Sequence, residues 1–273
     1  MGPKEALNLA RSAPERYESV RAAIRYRRNG PTIKMVRERF LRSEAGRRTF
    51  GENRTEPPEG IRHSEPDGPF EWCCRIWSID QHRWRQELEL PGGGVEIAAS
   101  TGRIRRFGTL NRPPGTSEQW HRGIGGATGK EDPTWRWLAT DYFWTMYPFD
   151  PDGGTPLTRI LEEMALEVKG PVRRAGREAV RLVAVPLEEL EYPPEPLWWG
   201  ADEYEVIVDA ERGVLLRTAS RLGGEDIDAL EVEEIHFDER FPEDVLDSRD
   251  PLPCRFSFFS FEGVEVGRIP CMG

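Results

Sequence analysis

AGREAVRLVAVP at 175–186 and, after an acidic loop, ADEYEVIVDAERGVLLRTASRLGGEDIDALEVEEIHFDERFPEDVL at 201–246 decide the fold of this chain. Val180, Leu182 and Ala184 alternate with Arg181, Val183 and Val185. Period-two alternation sends the two sets to opposite faces of a sheet. Tyr204, Val206 and Val208 repeat the pattern against Glu205, Ile207 and Asp209. Gly213 closes a short polar turn, where the missing Cβ permits the positive φ of a hairpin return. Val214, Leu216 and Thr218 follow as the partner strand. Leu222-Gly-Gly-Glu225 turns again, Ile227 to Phe237 is the next strand, and Phe241 to Leu246 reads as a short helical or irregular closing turn. Successive strands with short turns make an antiparallel meander, not a βαβ unit.

The rest of the chain reads as material that packs on this meander. Glu5 to Tyr17 has a short helical face through Ala6, Leu7 and Ala10 before Pro14 interrupts. Ser19 to Arg27 reads as a strand ended by Asn29-Gly30-Pro31. Thr32 to Arg42 is an amphipathic helix with Ile33, Val36, Phe40 and Leu41 inward and Lys34, Arg37 and Arg39 outward. Polar, proline-containing 48–68 is a loop. A second meander covers 69–108, with strands at 70–79, 82–90, 95–99 and 103–107. Residues 110–133 read as a long Gly/Pro/Thr loop, and 135–147 as an aromatic-rich helix. Pro156 to Leu166 is a further helix with Leu157, Ile160, Leu161 and Met164 on one side, and a strand begins straight after Met164. The domain boundaries expected are 1–246 for a half-barrel domain and 247–273 for a C-terminal extension, an extra hairpin or a tail.

Composition narrows the class. The chain has 273 residues, 37% hydrophobic and 32% charged, with nine Trp and 12 Phe to supply buried area. A net charge of −10 argues against nucleic acid as a partner. The charge is uneven. Residues 1–62 carry 15 Lys and Arg against 8 Asp and Glu, a net of +7, while 187–250 carry 5 against 21, a net of −16. The plain reading is two solvated faces; the sharper one is an acidic 187–250 face for a basic protein partner. No apolar run is long enough to span a membrane. The first residues lack a basic start followed by an apolar run, so the chain as written reads as cytoplasmic. Cys73, Cys74, Cys254 and Cys271 form no C-x-x-C, and adjacent Cys73 and Cys74 on one strand point to opposite faces, so free thiols are expected.

The fragments at 175–182, 204–217 and 237–244, with Arg83-Trp84-Arg85 and Ser100-Thr-Gly102-Arg-Ile-Arg-Arg-Phe107, resemble the lipoprotein-carrier fold shared by LolA/LolB-type proteins and the RseB/MucB N-terminal domain. The resemblance covers 5–246. It implies an α+β fold: a curved antiparallel sheet forming an unclosed half-barrel, with helices covering its concave face. It further implies an apolar cavity that accepts acyl chains in the carriers, and a ligand-sensing or partner-binding surface in the regulatory relatives. Those relatives are usually exported. The chain departs from the pattern at Thr101-Gly102, where the family writes Asp-Gly, and in the basic helix and the tail.

No catalytic signature is present. Gly129-Lys130 has Ile124 where a phosphate loop needs its first Gly and Glu131 where it needs Ser or Thr. His63, His82, His121 and His236 show no i,i+4 pair, so no metal or cofactor is expected, and His236 beside Glu234 reads as a satisfied sheet residue. Trp198-Trp199 reads either as rings tucked on the sheet or as a contact patch. The function expected is non-enzymatic binding of a lipid or acyl-chain-like ligand, the alternative being a protein-interaction module on the acidic face. The residues expected to line the cavity are Trp72, Ile76, Trp84, Leu88, Trp137, Trp144, Leu161, Leu182 and Val206. Each one alone is explained by core filling; only the set argues for a pocket.

Overall fold

The computed structural model describes residues 1–44, 47, 68–80, 83–90, 94–101, 104–110, 120–124, 149, 157–187, 200–241, 245 and 246. Its elements in chain order are α1 (Pro3–Arg11), β1 (Val20–Asn29), α2 (Gly30–Arg42), β2 (Pro69–Asp80), β3 (Arg83–Leu90), β4 (Gly94–Thr101), β5 (Ile104–Leu110), β6 (Trp120–Ile124), α3 (Leu157–Glu162), β7 (Ala165–Arg174), β8 (Arg177–Val185), β9 (Glu203–Asp209), β10 (Leu215–Leu222) and β11 (Glu225–Phe237). The eleven described strands form one sheet in the order β6-β5-β4-β3-β2-β1-β11-β10-β9-β8-β7. Every pairing is antiparallel. This is an unclosed α+β half-barrel, as the sequence led us to expect.

The two meanders meet on β1. Val20 pairs with Ser78 on one side and Phe237 on the other, and Tyr26 with Trp72 and Leu230. The first strand of the chain is therefore the central one. β6 is a correction to the long loop expected over 110–133: Trp120 to Ile124 pairs with β5, Phe107 lying opposite His121. Five residues containing Gly123 carry little strand signal of their own, and the ladder of β5 supplies what propensity lacks. The helix expected at 156–166 is shorter, because β7 already begins at Ala165.

Local chemistry sets the ends. Pro3 opens α1, and Glu5 reaches back to the Gly2 amide at 3.1 Å. Asn29 ends β1 and caps α2, its side-chain oxygen accepting from the Thr32 amide at 3.2 Å. Gly223 and Gly224, at φ 59° and 86°, make the two-residue return between β10 and β11.

The three described α-helices pack on one face of the sheet. Ala6, Leu7 and Ala10 of α1, Ile33 and Val36 of α2, and Leu157 and Leu161 of α3 form a single buried cluster with Leu182, Ala184, Tyr204, Val206 and Val208. Arg11 ties α1 to α3 through Thr158 at 3.2 Å. A second cluster joins Val20, Ala22, Ile24 and Tyr26 to Cys74, Ile76, Leu230, Val232 and Ile235. Leu7 is fully buried under its helix. Leu7→Ala is expected to lower unfolding free energy by about 2–3 kcal/mol, measurable as a shift in the urea midpoint.

Candidate functional site

Paired residues in a ladder share a face, so the lidded face can be followed strand by strand. Leu182 lies opposite Val206, Val206 opposite Thr218, Thr218 opposite Leu230, Leu230 opposite Tyr26, and Tyr26 opposite Trp72. Ile76 is in phase with Trp72, and Leu88 and Trp84 lie opposite Cys74 and Ser78 on that same face. Ile76, Trp84, Leu88, Leu182 and Val206 thus share one face, and Trp72 holds a backbone position in its register. The side chain of Trp72 lies outside the described residues, as do Trp137, Trp144, Trp198, Trp199 and the whole of 247–273.

Five of the expected lining residues lie in two buried clusters of the described residues. Leu161, Leu182 and Val206 belong to the cluster under the helices. Ile76, with half-buried Leu88 against it, belongs to the cluster around β1. Trp84 is half-buried.

Between the two groups runs a polar seam that the sequence reading passed over. Asp228 of β11 lies opposite Ser220 of β10 and Arg28 of β1, one step along the lidded face from the Thr218–Leu230–Tyr26 row. Asp228 and Thr218 are each 2% exposed and Ser220 is fully buried. The Tyr26 hydroxyl donates to Asp228 Oδ2, and Arg28 Nε donates to the same oxygen at 3.0 Å. Arg28 Nη2 donates to the Tyr26 oxygen, and the guanidinium lies 5.1 Å from the Tyr26 ring centre. Burial pushes the Asp228 carboxyl above its ordinary range and the Tyr26 phenol well above its own. Burial alone would lower Arg28, but Tyr26 and Asp228 outweigh it and keep the guanidinium charged. Asp228 Oδ1 and Thr218 Oγ1 have no hydrogen-bond partner among the described residues. A signal was present in the sequence: Asp228 is in phase with Leu230, and Arg28 with Tyr26 and Ile24, so each places a charge on the apolar face.

The opposite face is a mesh of ion pairs. Arg217 meets Glu205 at 2.7 Å, Asp226 at 2.6 Å and Glu231 at 3.2 Å. Arg221 adds Glu203 at 3.3 Å and Asp226 at 3.1 Å, and Arg174 adds Glu231. Further along the sheet, Arg25 pairs with Glu71 and Glu233, Arg75 with Glu87 and Glu89, and Arg85 with Glu87. Several acids counted in the 187–250 excess are therefore committed to arginines of this mesh. Burial and neighbouring Glu87 push Glu89 up to about 7 against the pull of Arg75. Cys73 and Cys74 are both free, Cys74 buried and Cys73 half-buried, and burial pushes the Cys73 thiol up to about 12. His236 meets Glu234 at 2.7 Å, the sheet pair expected. Val245 and Leu246 pack on Trp77, and the Val245 carbonyl accepts from buried Arg85 at 3.3 Å. No group of three metal-ligating side chains occurs among the described residues. No helix among them is long and apolar enough to cross a membrane.

No family model matches the sequence, and no curated protein matches it either. Solved structures do. MucB aligns over 90% of this chain at 14% identity with a TM-score of 0.50. The chain spans 62% of the length of MucB. The MucA/MucB complex of Pseudomonas aeruginosa aligns at 15% identity over 90% of this chain and 60% of that one, with a TM-score of 0.47. LprF from Mycobacterium bovis aligns at 9% identity over 86% of this chain and 94% of its own, with a TM-score of 0.37. The fold of this chain is similar to that of MucB, an unclosed antiparallel half-barrel.

Proposed function

We propose that this protein is a non-enzymatic binding protein that holds a hydrophobic ligand, a lipid or other long alkyl chain, against the lidded face of its sheet. One observation carries the reading: five of the expected lining residues share a single face that crosses the sheet from β8 to β3, and α1, α2 and α3 pack on that face. Beyond the cluster under the described helices, the same face carries half-buried Trp84 and Leu88. A structure of similar fold holds MucB in complex with MucA, but among the described residues most acids of 187–250 that such a docking face would use here are engaged with arginines. That favours the ligand over the protein partner.

The test is a titration of solvent-extracted, refolded protein with a fluorescently labelled C16 chain, competed by unlabelled chain. Saturable, displaceable binding is expected. Trp84→Asp puts a charge on the trough at a half-buried site, and should weaken the probe about tenfold with the fold retained by circular dichroism. No displaceable binding, or a variant that binds as well as the parent, would sink the reading.

A further inference from the structure

The polar seam lies where no core requires it. Thr218, Ser220 and Asp228 sit on β10 and β11, between the apolar cluster under the helices and the one around β1. Buried polar atoms in folded proteins almost always find a partner. Here the triad of Tyr26, Arg28 and Asp228 satisfies Asp228 Oδ2 and balances its charge, while Asp228 Oδ1 and Thr218 Oγ1 stand unpartnered among the described residues, one strand apart on one face. The leftover chemistry is specific. Oδ1 of a carboxylate already balanced by Arg28 takes a neutral donor, and a threonine hydroxyl both donates and accepts. A group with a donor and an acceptor side by side matches this pair, and an ionised carboxylate would set its charge against Oδ1.

Resting on the reading that the lidded face holds an alkyl chain, we infer that Thr218 and Asp228 form a headgroup subsite for a neutral amphiphile bearing a hydroxyl or amide N–H, the chain lying along the apolar clusters on either side. The subsite selects among chains of equal length by the polar group alone. Its origin is also legible in stability. An unsatisfied hydroxyl replaced by a methyl of the same shape should stabilise the empty protein, since the buried oxygen no longer lacks a partner.

The experiment compares hexadecanamide, methyl hexadecanoate and hexadecanoate as competitors for the labelled chain, on the parent, Thr218→Val and Thr218→Ser. In the parent the amide should compete about fivefold better than the ester, the difference one neutral hydrogen bond makes. Thr218→Val should weaken the amide and the ester alike by about fivefold, since the carbonyl of each accepts from the lost hydroxyl, and should raise the unfolding midpoint of the ligand-free protein. Thr218→Ser should keep both affinities. Equal competition by all three in the parent would overturn the inference and leave chain binding intact. Amide and ester affinities that Thr218→Val leaves unchanged would also overturn it. Failure of every chain to bind would remove the trough reading and the subsite together.

Discussion

Replacing Gly213 with alanine should cost about 4 kcal/mol of unfolding free energy, near the upper end for single substitutions. Two effects add. Gly213 sits at φ 79°, where an L-residue carries roughly 1–2 kcal/mol of strain. An added Cβ would also lie 2.2 Å from the Leu9 carbonyl oxygen and 2.7 Å from its carbon. Those are backbone atoms of α1, so no rotamer change relieves the contact. Either the turn between β9 and β10 opens or the helix lifts. Asp209 holds the turn shut, accepting from the amides of Glu211 and Arg212 while its own amide bonds to the Val214 carbonyl at 2.8 Å. The helix therefore gives way, and Ala6, Leu7 and Ala10 move off Tyr204 and Val206. Gly223→Ala is the control. It has φ 59° and no atom within 4 Å of the added Cβ, so it should show only strain, about 1 kcal/mol. Equal midpoint shifts for the two variants, read from urea unfolding, would mean that α1 does not press on the turn.

How much of this was legible depends on what each feature rests on. The strands from β7 to β11 were readable because alternation and turn glycines act within a dozen residues; Gly213, Gly223 and Gly224 all take the positive φ that their places in the sequence demanded. The single sheet was a harder matter. Residues 69–108 and 164–238 meet in the sheet across β1, and nothing local in Val20 to Asn29 says that it pairs on both sides. β6 escaped for the opposite reason, its pairing partner being a stronger signal than its own residues. The lining set was legible as a face, because phase alone puts Trp72 with Ile76 and Leu182 with Ala184. Its division into two clusters was not, since that depends on Thr218 and Ser220 arriving between them by register. The same ignorance of register hid the ion-pair mesh. Arg217, Glu205 and Glu231 each read as an outward charge on its own strand, and only pairing across β9, β10 and β11 turns three solvated side chains into one buried group.

Arg217→Met tests that group. Arg217 is 8% exposed and touches three carboxylates, of which Glu205 is 4% exposed. Methionine keeps most of the aliphatic length and removes the charge. Breaking a buried pair from one side typically costs 3–5 kcal/mol, because the remaining charge stays in low dielectric. Arg181 and Arg221 still reach Glu205, and Arg221 still reaches Asp226, so a loss of about 3 kcal/mol at neutral pH is expected. The pH dependence separates charge from packing. Burial pushes the Glu205 and Asp226 carboxyls up, but Arg217 and Arg221 outweigh it and hold both below their ordinary values of 4.5 and 3.8. Groups depressed in this way stabilise the fold fully above those values and progressively less as pH falls through the folded ones. The parent therefore loses this contribution on acidification. The variant, whose carboxyls have lost their main cation and titrate higher, has less to lose. The gap between the two proteins should be widest at pH 7 and should narrow steadily below about pH 4.5. A gap that stays constant from pH 7 to pH 3 would mean that Arg217 acts through the packing of its methylene stem, and that the mesh contributes nothing through its charges.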